Sequence, residues 1–357
     1  MATTSMRPCG DFRTSYKQDT TIFETKSIWA GACALITALC FAPFILDEYY
    51  LSLFIQISYL GVAALGLNIL VGFTGQISLG HGAFFGFGAF ASAWINTTLH
   101  VPVFFAIPLA GFMTMAVGMM FGLPAARIKG LYLAIATLAS QFIIEDFFAR
   151  ANWFSGGSSG ALAEPVNIFG FVFDTDQSFF YIALFALVSM YLWGSNLMRS
   201  RDGRAFVAVR DHYLSAEIMG IELTKYRLLS FGISAFYAGI GGALYGHYLG
   251  YVSAEGFTIM LSIQFLAMCI IGGLGSIKGT LMGVIFMVLL PEALEGGVGL
   301  MKETDWGNIP AVVDGIAYIK EMSIGLVIIL FLIFEPEGLA HRWKQIKNYW
   351  KFYPFSY

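Results

Sequence analysis

The stretch Gly75-Gln76-Ile77-Ser78-Leu79-Gly80-His81-Gly82-Ala83-Phe84-Phe85-Gly86-Phe87-Gly88 decides how the chain is read. It lies in a run that is otherwise apolar, yet it sets Gln76, Ser78 and His81 among glycines that loosen a helix. Unwound backbone at membrane depth is tolerated only where protein or a water-lined cavity surrounds it, and discontinuous helices commonly form translocation sites. The stretch therefore supports two readings. Gln76, Ser78, His81 and Phe85 line a solute path, or the segment is close helix packing with His81 bonded to a neighbouring carbonyl. The two are compatible, because small residues packed around a pore also set its width.

The rest of the chain supplies the membrane setting. Of 357 residues, 57% are hydrophobic and 12% charged, whereas soluble domains carry roughly 25% charged residues. A span needs about 20 mostly apolar residues. Such runs fall near 28–46, 51–71, 77–95, 101–122, 130–148, 178–195, 227–250, 258–274, 277–292 and 319–334. They predict an all-α, polytopic transmembrane bundle of about ten helices, with a broken or Gly-rich helix near 72–88. A barrel is excluded, because its strands alternate apolar and polar residues in short segments. Residues 1–27 read as a polar tail, 28–334 as the transmembrane domain and 335–357 as a second tail. The first apolar run reads as a retained helix and not a cleaved signal.

Lys and Arg set the orientation. With both termini cytoplasmic and an even number of crossings, 17 of the 20 Lys and Arg residues fall on the inner side, as short basic loops require. The outer loops 149–177 and 295–318 mix Gly, Pro, acidic residues and Trp. They read either as a platform for a periplasmic partner or as solvated connectors.

Forty glycines cluster at 72–88, 239–250 and 272–283, where small faces let helices approach. Asn68, Gln264 and His247 read as polar residues that join helices. Every Asp and Glu near a span sits close to a helix end, so the mid-membrane relay that ion-coupled carriers use is absent from the sequence. Cys33, Cys40 and Cys269 lie in apolar runs and Cys9 in the polar tail, which predicts no disulfide and no metal site. His81, His100, His212, His247 and His341 have no paired spacing, which argues against a membrane-embedded enzyme. Nothing in the sequence points to nucleic acid.

The longest inner loop, 199–227, is basic. In it Asp211 can cap a helix over His212–Met219 that Gly220 ends. A helix this short needs a partner. Val209, Leu214, Ile218 and Met219 are apolar anchors that a groove on another protein can bury; the bland alternative is a solvated turn held by its own domain.

Several stretches together resemble the LivM-like permeases of branched-chain amino-acid ABC importers. They are Gly72–Gly86, Ser200-Arg201-Asp202-Gly203-Arg204-Ala205, Ala216–Ile221 continuing through Ser234–Gly239, and Gly272-Gly273-Leu274-Gly275-Ser276. Phe334-Glu335-Pro336-Glu337-Gly338-Leu339 is similar to family endings. The resemblance implies a sister permease subunit, paired as a heterodimer, in a bacterial inner membrane, with two ATP-binding subunits and a periplasmic solute-binding protein. It implies that Ala216–Gly220 belong to the coupling helix docked on an ATPase, so Asp211, Leu214, Ala216, Glu217, Met219 and Gly220 are the candidate coupling residues. The familiar importer loop reads Glu-Ala-Ala followed by Gly; here it is Ala216-Glu217-Ile218-Met219-Gly220. The chain has no Gly-x-x-x-x-Gly-Lys-Ser/Thr motif, so ATP and its Mg belong to partner chains and this chain carries no cofactor. The solutes that fit this reading are branched-chain or related amino acids. Urea, short amides, and aromatic or other carboxylic acids are the alternatives, followed by an ATP-independent carrier or channel.

Overall fold

The computed structural model describes residues 21, 26–125, 128, 130–168, 171–302, 322, 325–335 and 337–352. Nearly all of the first tail, most of the second outer loop and the start of the last apolar run lie outside the described residues. The α-helices of more than four residues are, among the described residues, α1 (Lys26–Phe41), α2 (Glu48–Asn68), α3 (His81–Leu99), α4 (Val103–Ala125), α5 (Leu131–Arg150), α6 (Asp176–Arg199), α7 (Arg201–Asp211), α8 (Tyr213–Ile218), α9 (Leu223–Leu249), α10 (Ile259–Gly272), α11 (Ile277–Lys302), α12 (Gly325–Phe334) and α13 (Gly338–Phe352).

The protein is helical and multi-pass. Among the described residues, seven helices are long and apolar enough to cross a membrane: α2, α4, α5, α6, α9, α10 and α11. Three of the ten runs expected from the sequence are not among these seven. Two are, within the described residues, shorter apolar helices, Trp29–Phe44 and Gly325–Phe334. The third, expected from residue 77, is α3, which starts at His81 and is long enough at 19 residues but less apolar than the seven. The expected outer loop at 149–177 holds short strands that the sequence reading did not foresee. In it β1 (Ala161–Leu162) pairs with β4 (Tyr251–Val252), and β2 (Val166–Ile168) with β3 (Phe171–Phe173), both antiparallel.

The bundle is built around α2 and α9, whose apolar windows are 89% and 83% buried; those of the other five spans are 33–39% buried. Lipid tails are as apolar as leucine, so helices gain by close packing and not by hiding apolar surface from water. Glycine supplies that closeness. A Cβ at Gly88 of α3 would sit 2.3 Å from the Gly239 carbonyl oxygen of α9. One at Gly242 of α9 would sit 1.8 Å from the Phe85 carbonyl oxygen of α3, and one at Gly272 of α10 2.2 Å from the Gly279 carbonyl oxygen of α11. The three glycine clusters of the sequence are thus two seams, α3 against α9 and α10 against α11.

Polar side chains finish the joints. His247 of α9 bonds Ser92 of α3 through Nε2 (2.8 Å) and the Glu164 carbonyl of the outer loop through Nδ1 (2.7 Å). It joins helices, as the sequence reading held. Gln264 is half-buried in α10.

Replacing Gly88 by Val forces a branched side chain into the Gly239 backbone and should cost about 3 kcal/mol or more. Gly31→Val, at a position with nothing within 4 Å, should change stability by less than about 0.5 kcal/mol. Thermal unfolding of both variants in detergent measures the contrast.

Candidate functional site

The helix break seen in the sequence is real, and it starts before Gly75. At the end of α2 the chain widens into a π-helical turn, Ile69–Phe73. Thr74 Oγ1 then donates to the Leu70 carbonyl (2.6 Å), and Gly75 takes φ +70°, where a side chain is strained. Gly75 N–H still reaches the Val71 carbonyl (3.1 Å), and residues 76–80 then run back along the bundle without helical bonds until α3 begins at His81. His81 Nε2 lies 2.8 Å from the carbonyl oxygen of Ala63. Ala63 precedes the π turn's last residue by ten positions, about 15 Å of helix, so α3 starts deep inside the bundle.

A helix that starts there exposes backbone N–H groups where no water can pair them. They are paired by other helices. Gly82 N–H donates to Ser262 Oγ of α10 (2.8 Å), and Ala83 N–H to Gln141 Oε1 of α5 (2.9 Å). Gln141 Nε2 is held in turn by the Phe257 carbonyl and by Glu145 Oε1, both at 2.8 Å. Just before the helix, Leu79 N–H donates to Thr137 Oγ1 of α5 (3.0 Å). The sequence reading did not single out Gln141, Ser262 or Thr137. A lone amide or hydroxyl in an apolar run is the signal that could have found them.

The four predicted path residues are all buried, and three of them form a column against α9. Gln76 Nε2 donates to Ser230 Oγ (2.7 Å), His81 Nδ1 lies 3.5 Å from Ser234 Oγ, and Phe85 gives its backbone to Gly242. Phe85 also sits in an aromatic cluster with Tyr59, Tyr245, Phe257 and Phe265. The His81–carbonyl bond of the packing reading is present. Yet Gln76 Oε1 and Ser78 Oγ are buried with no hydrogen-bond partner among the described residues, an arrangement that costs about 1–3 kcal/mol per atom.

At the basic end of the bundle, three segments converge on the break. Arg210, next to last in α7, donates from Nη1 to the Gly72 carbonyl of the π turn (2.6 Å). Asn68 Nδ2 donates to the Ser276 carbonyl (3.0 Å) and to Thr280 Oγ1, while Asn68 Oδ1 accepts from Gly275 N–H (2.9 Å). Asn68 is therefore helix glue, as read. Arg210 was not foreseen as a contact.

The 199–227 segment differs from its sequence reading at the helix start and at one expected anchor. It contains α7, whose N-cap Ser200 accepts from Gly203 N–H (3.3 Å). Asp211 is the last residue of α7 and does not cap α8; its carboxylate receives Arg210 Nε (2.9 Å), and the N-cap of α8 is His212, without a side-chain bond. Val209, expected as a docking anchor, is buried in its own subunit, and so is Ala216. Leu214, Ile218 and Met219 are 61%, 87% and 82% exposed, and Asp211, Glu217 and Gly220 are exposed beside them. Gly220 ends the helix as expected. With φ +86° it lets its own N–H reach the Glu217 carbonyl and Ile221 N–H reach the Ala216 carbonyl, both at 3.0 Å, a Schellman stop.

At the far end, a cavity of about 510 Å³ opens among Asn96, His100, Pro102, Phe105, Glu164 and Asn167. Among the described residues no group of three or more His, Cys, Asp or Glu is placed to hold a metal.

The family profile described as "Branched-chain amino acid transport system / permease component" matches residues 49–332. The high-affinity branched-chain amino acid transport system permease protein LivM of Salmonella typhimurium is 30% identical over 302 residues, covering 78% of this chain and 67% of its own. The corresponding protein BraD of Pseudomonas aeruginosa is 24% identical over 295 residues, 78% of this chain and 90% of its own. The autoinducer 2 import system permease protein LsrC of Salmonella typhi is 23% identical over 322 residues, 85% of each chain. No solved structure matches. A profile match over 49–332, on a bundle of apolar spans with a break at depth, shows that the chain belongs to the permease components of branched-chain amino acid transport systems and is a transport subunit, not an enzyme.

Proposed function

We propose that the chain forms, with a sister permease of similar fold, the translocation path for branched-chain or related amino acids. ATP is hydrolysed on two cytoplasmic partner subunits, and solute is delivered by a periplasmic binding protein. The observation that carries the reading is the 199–227 segment. It holds a short helix whose apolar side chains Leu214, Ile218 and Met219 stand exposed, joined through Arg210 to the carbonyl of Gly72 at the helix break. Six residues of isolated helix have no stability of their own in water, so that face calls for a partner, and the family supplies an ATPase.

In this reading the chain crosses an inner membrane ten times, with α1, α3 and α12 completing the count and both tails cytoplasmic. The permease domain is 28–334, and the tails are 1–27 and 335–357. The inner placement of the Arg210, Arg227, Lys278 and Arg342 end follows the positive-inside rule. The outer loop and its ribbons face the binding protein. Nucleic acid has no part in it.

Closure of the ATPases displaces α8 and α7, and Arg210 carries the displacement to the π turn and the 75–80 segment. The unpaired Gln76 Oε1 and Ser78 Oγ support a path here, because a second arrangement that pairs them with solute or water recovers their cost. His81 and Phe85 border the same column. Weak contacts suit the task, since a tight site would hinder release. The LsrC relative is named for autoinducer 2 import, which keeps a solute other than an amino acid as the second reading.

Three measurements test the proposal. Reconstituted with its partner subunits, the chain should take up labelled leucine, isoleucine or valine only with ATP; uptake by this chain alone, without nucleotide, would overturn the importer reading. Gly220→Val strains a residue at φ +86° and should weaken ATPase co-purification about tenfold, the equivalent of 1–2 kcal/mol, with membrane insertion unchanged. Arg210→Met should leave ATPase binding intact while uptake per ATP hydrolysed falls roughly tenfold; equal losses of binding and uptake would remove Arg210 from the transmission.

A further inference from the structure

Helix α13 is unlike the rest of the chain. The protein carries a net charge of −3, yet Gly338–Phe352 holds four Lys and Arg and no Asp or Glu. The helix is fixed at its start. Gly338 turns the chain at φ +74°, and a Cβ there would sit 2.5 Å from Gly273 Cα at the end of α10. Ala340 Cβ likewise lies 2.8 Å from where a Cβ at Gly279 of α11 would be. The first turn of α13 is thus wedged against the basic end of the bundle, and the rest projects from it.

The projecting part has two faces. Trp343, Ile346 and Trp350 recur at helical spacing, with Tyr349 beside them, and they are 61%, 51%, 72% and 53% exposed. At about 3.6 residues per turn, Lys347 and Lys344 lie along one side of that stripe and Arg342 falls within it. Glu335 binds the Arg342 guanidinium. The apolar stripe also continues a lipid-type surface. α12 ends four residues before α13 begins, with Leu326, Ile329, Ile333 and Phe334 all more than half exposed. A basic helix with aromatic residues on one side, tied to the end of a membrane span, has the pattern of a helix lying in the membrane interface.

We propose that α13 lies on the cytoplasmic leaflet, with Trp343, Ile346, Tyr349 and Trp350 inserted among headgroups and acyl chains and Lys344 and Lys347 bound to anionic phospholipid. Tryptophan and tyrosine are suited to that depth because one part of each ring system is apolar and another is polar. The partner is an anionic lipid surface and not a protein groove. The two lysines border the apolar stripe, where headgroup phosphates lie when such a stripe is buried, and the preceding helix already delivers the chain to the membrane.

This inference rests on the inward orientation proposed above, and the test separates the two. The full-length chain is reconstituted in vesicles of phosphatidylcholine alone, or with phosphatidylglycerol as a third of the lipid. Each set carries a photoreactive group near the headgroup of one lipid type. Cross-links to 338–352 should be about threefold more abundant from phosphatidylglycerol than from phosphatidylcholine, and Lys344→Gln with Lys347→Gln, or roughly 1 M salt, should remove the difference. Trp343→Ser with Trp350→Ser should lower the yield from both lipids, with thermal unfolding of the bundle confirming that each variant is folded. Equal yields from both lipids, or no cross-links in this segment, would overturn the inference. So would cross-links abolished by adding the ATPase subunits, which would make the face a protein docking surface. Protease access to 199–227 in spheroplasts and in inside-out membrane vesicles from cells reports sidedness; cleavage in spheroplasts only would remove the orientation, and this inference with it.

Discussion

The first N–H groups of α3 are paired by side chains that belong to other helices, and the rest of the structure is arranged around that necessity. A helix may begin inside a membrane only if its orphan donors are satisfied there. Ser262 of α10 and Gln141 of α5 accept from Gly82 and Ala83. These bonds fix α5 and α10 against the start of α3, and the Gln141–Phe257 bond fixes the loop before α10 as well. The extended stretch 76–80 is held against α5 by Thr137 and against α9 by Ser230. Local softness in the backbone is thus converted into a fixed crossing point, in which the side-chain atoms Gln76 Oε1 and Ser78 Oγ have no partner among the described residues.

Close approach of backbones makes this crossing possible. α3 is drawn against α9 because Gly88 meets Gly239 and Gly242 meets the Phe85 backbone. That contact places Ser230, Ser234 and Gly242 on one side of the column formed by Gln76, His81 and Phe85. Hydrogen bonding at the helix start and glycine packing along its length therefore set the same geometry from two directions. Changing either would alter the width of the column, which is why packing and path lining do not compete as explanations of the same residues.

The break was legible because its residues conflict locally: glycine, glutamine, serine and histidine in a row are poor company for a continuous apolar helix. The glycine clusters were legible for the same reason. Their pairing was not, since nothing in a one-dimensional pattern says that 88 faces 239 or that 272 faces 279. Gln141 and Ser262 were missed because each stands alone in an apolar run and their role exists only in three dimensions. Asp211 was misplaced for an instructive reason. Aspartate before an apolar turn is a good cap signal, but Ser200 with Asp202 behind it starts an earlier helix, and that helix consumes Asp211 as its last residue. The stop at Gly220 was read correctly, because a glycine at the end of a short helical pattern serves a conformation that other residues adopt at a cost.

The links at the basic end tie the segment that carries α8 to the interior of the bundle. Arg210 stands three residues before α8 begins, and its guanidinium meets the π turn through a single carbonyl. Gly75 and Gly275 leave room for it: a Cβ at the first would lie 2.9 Å from Arg210 Cγ, and one at the second 3.2 Å from Nη1. The arginine therefore fills a slot bounded by two glycine backbones, and it has little freedom to absorb a displacement of α7. Asn68 then ties the same π turn to Gly275, Ser276 and Thr280. One shared set of bonds thus joins the segment before α8 to the break between α2 and α3 and to the turn between α10 and α11. α10 also carries Ser262, the cap of α3, so both routes end on the same helix start, and α3 cannot be reoriented at one end without the other responding.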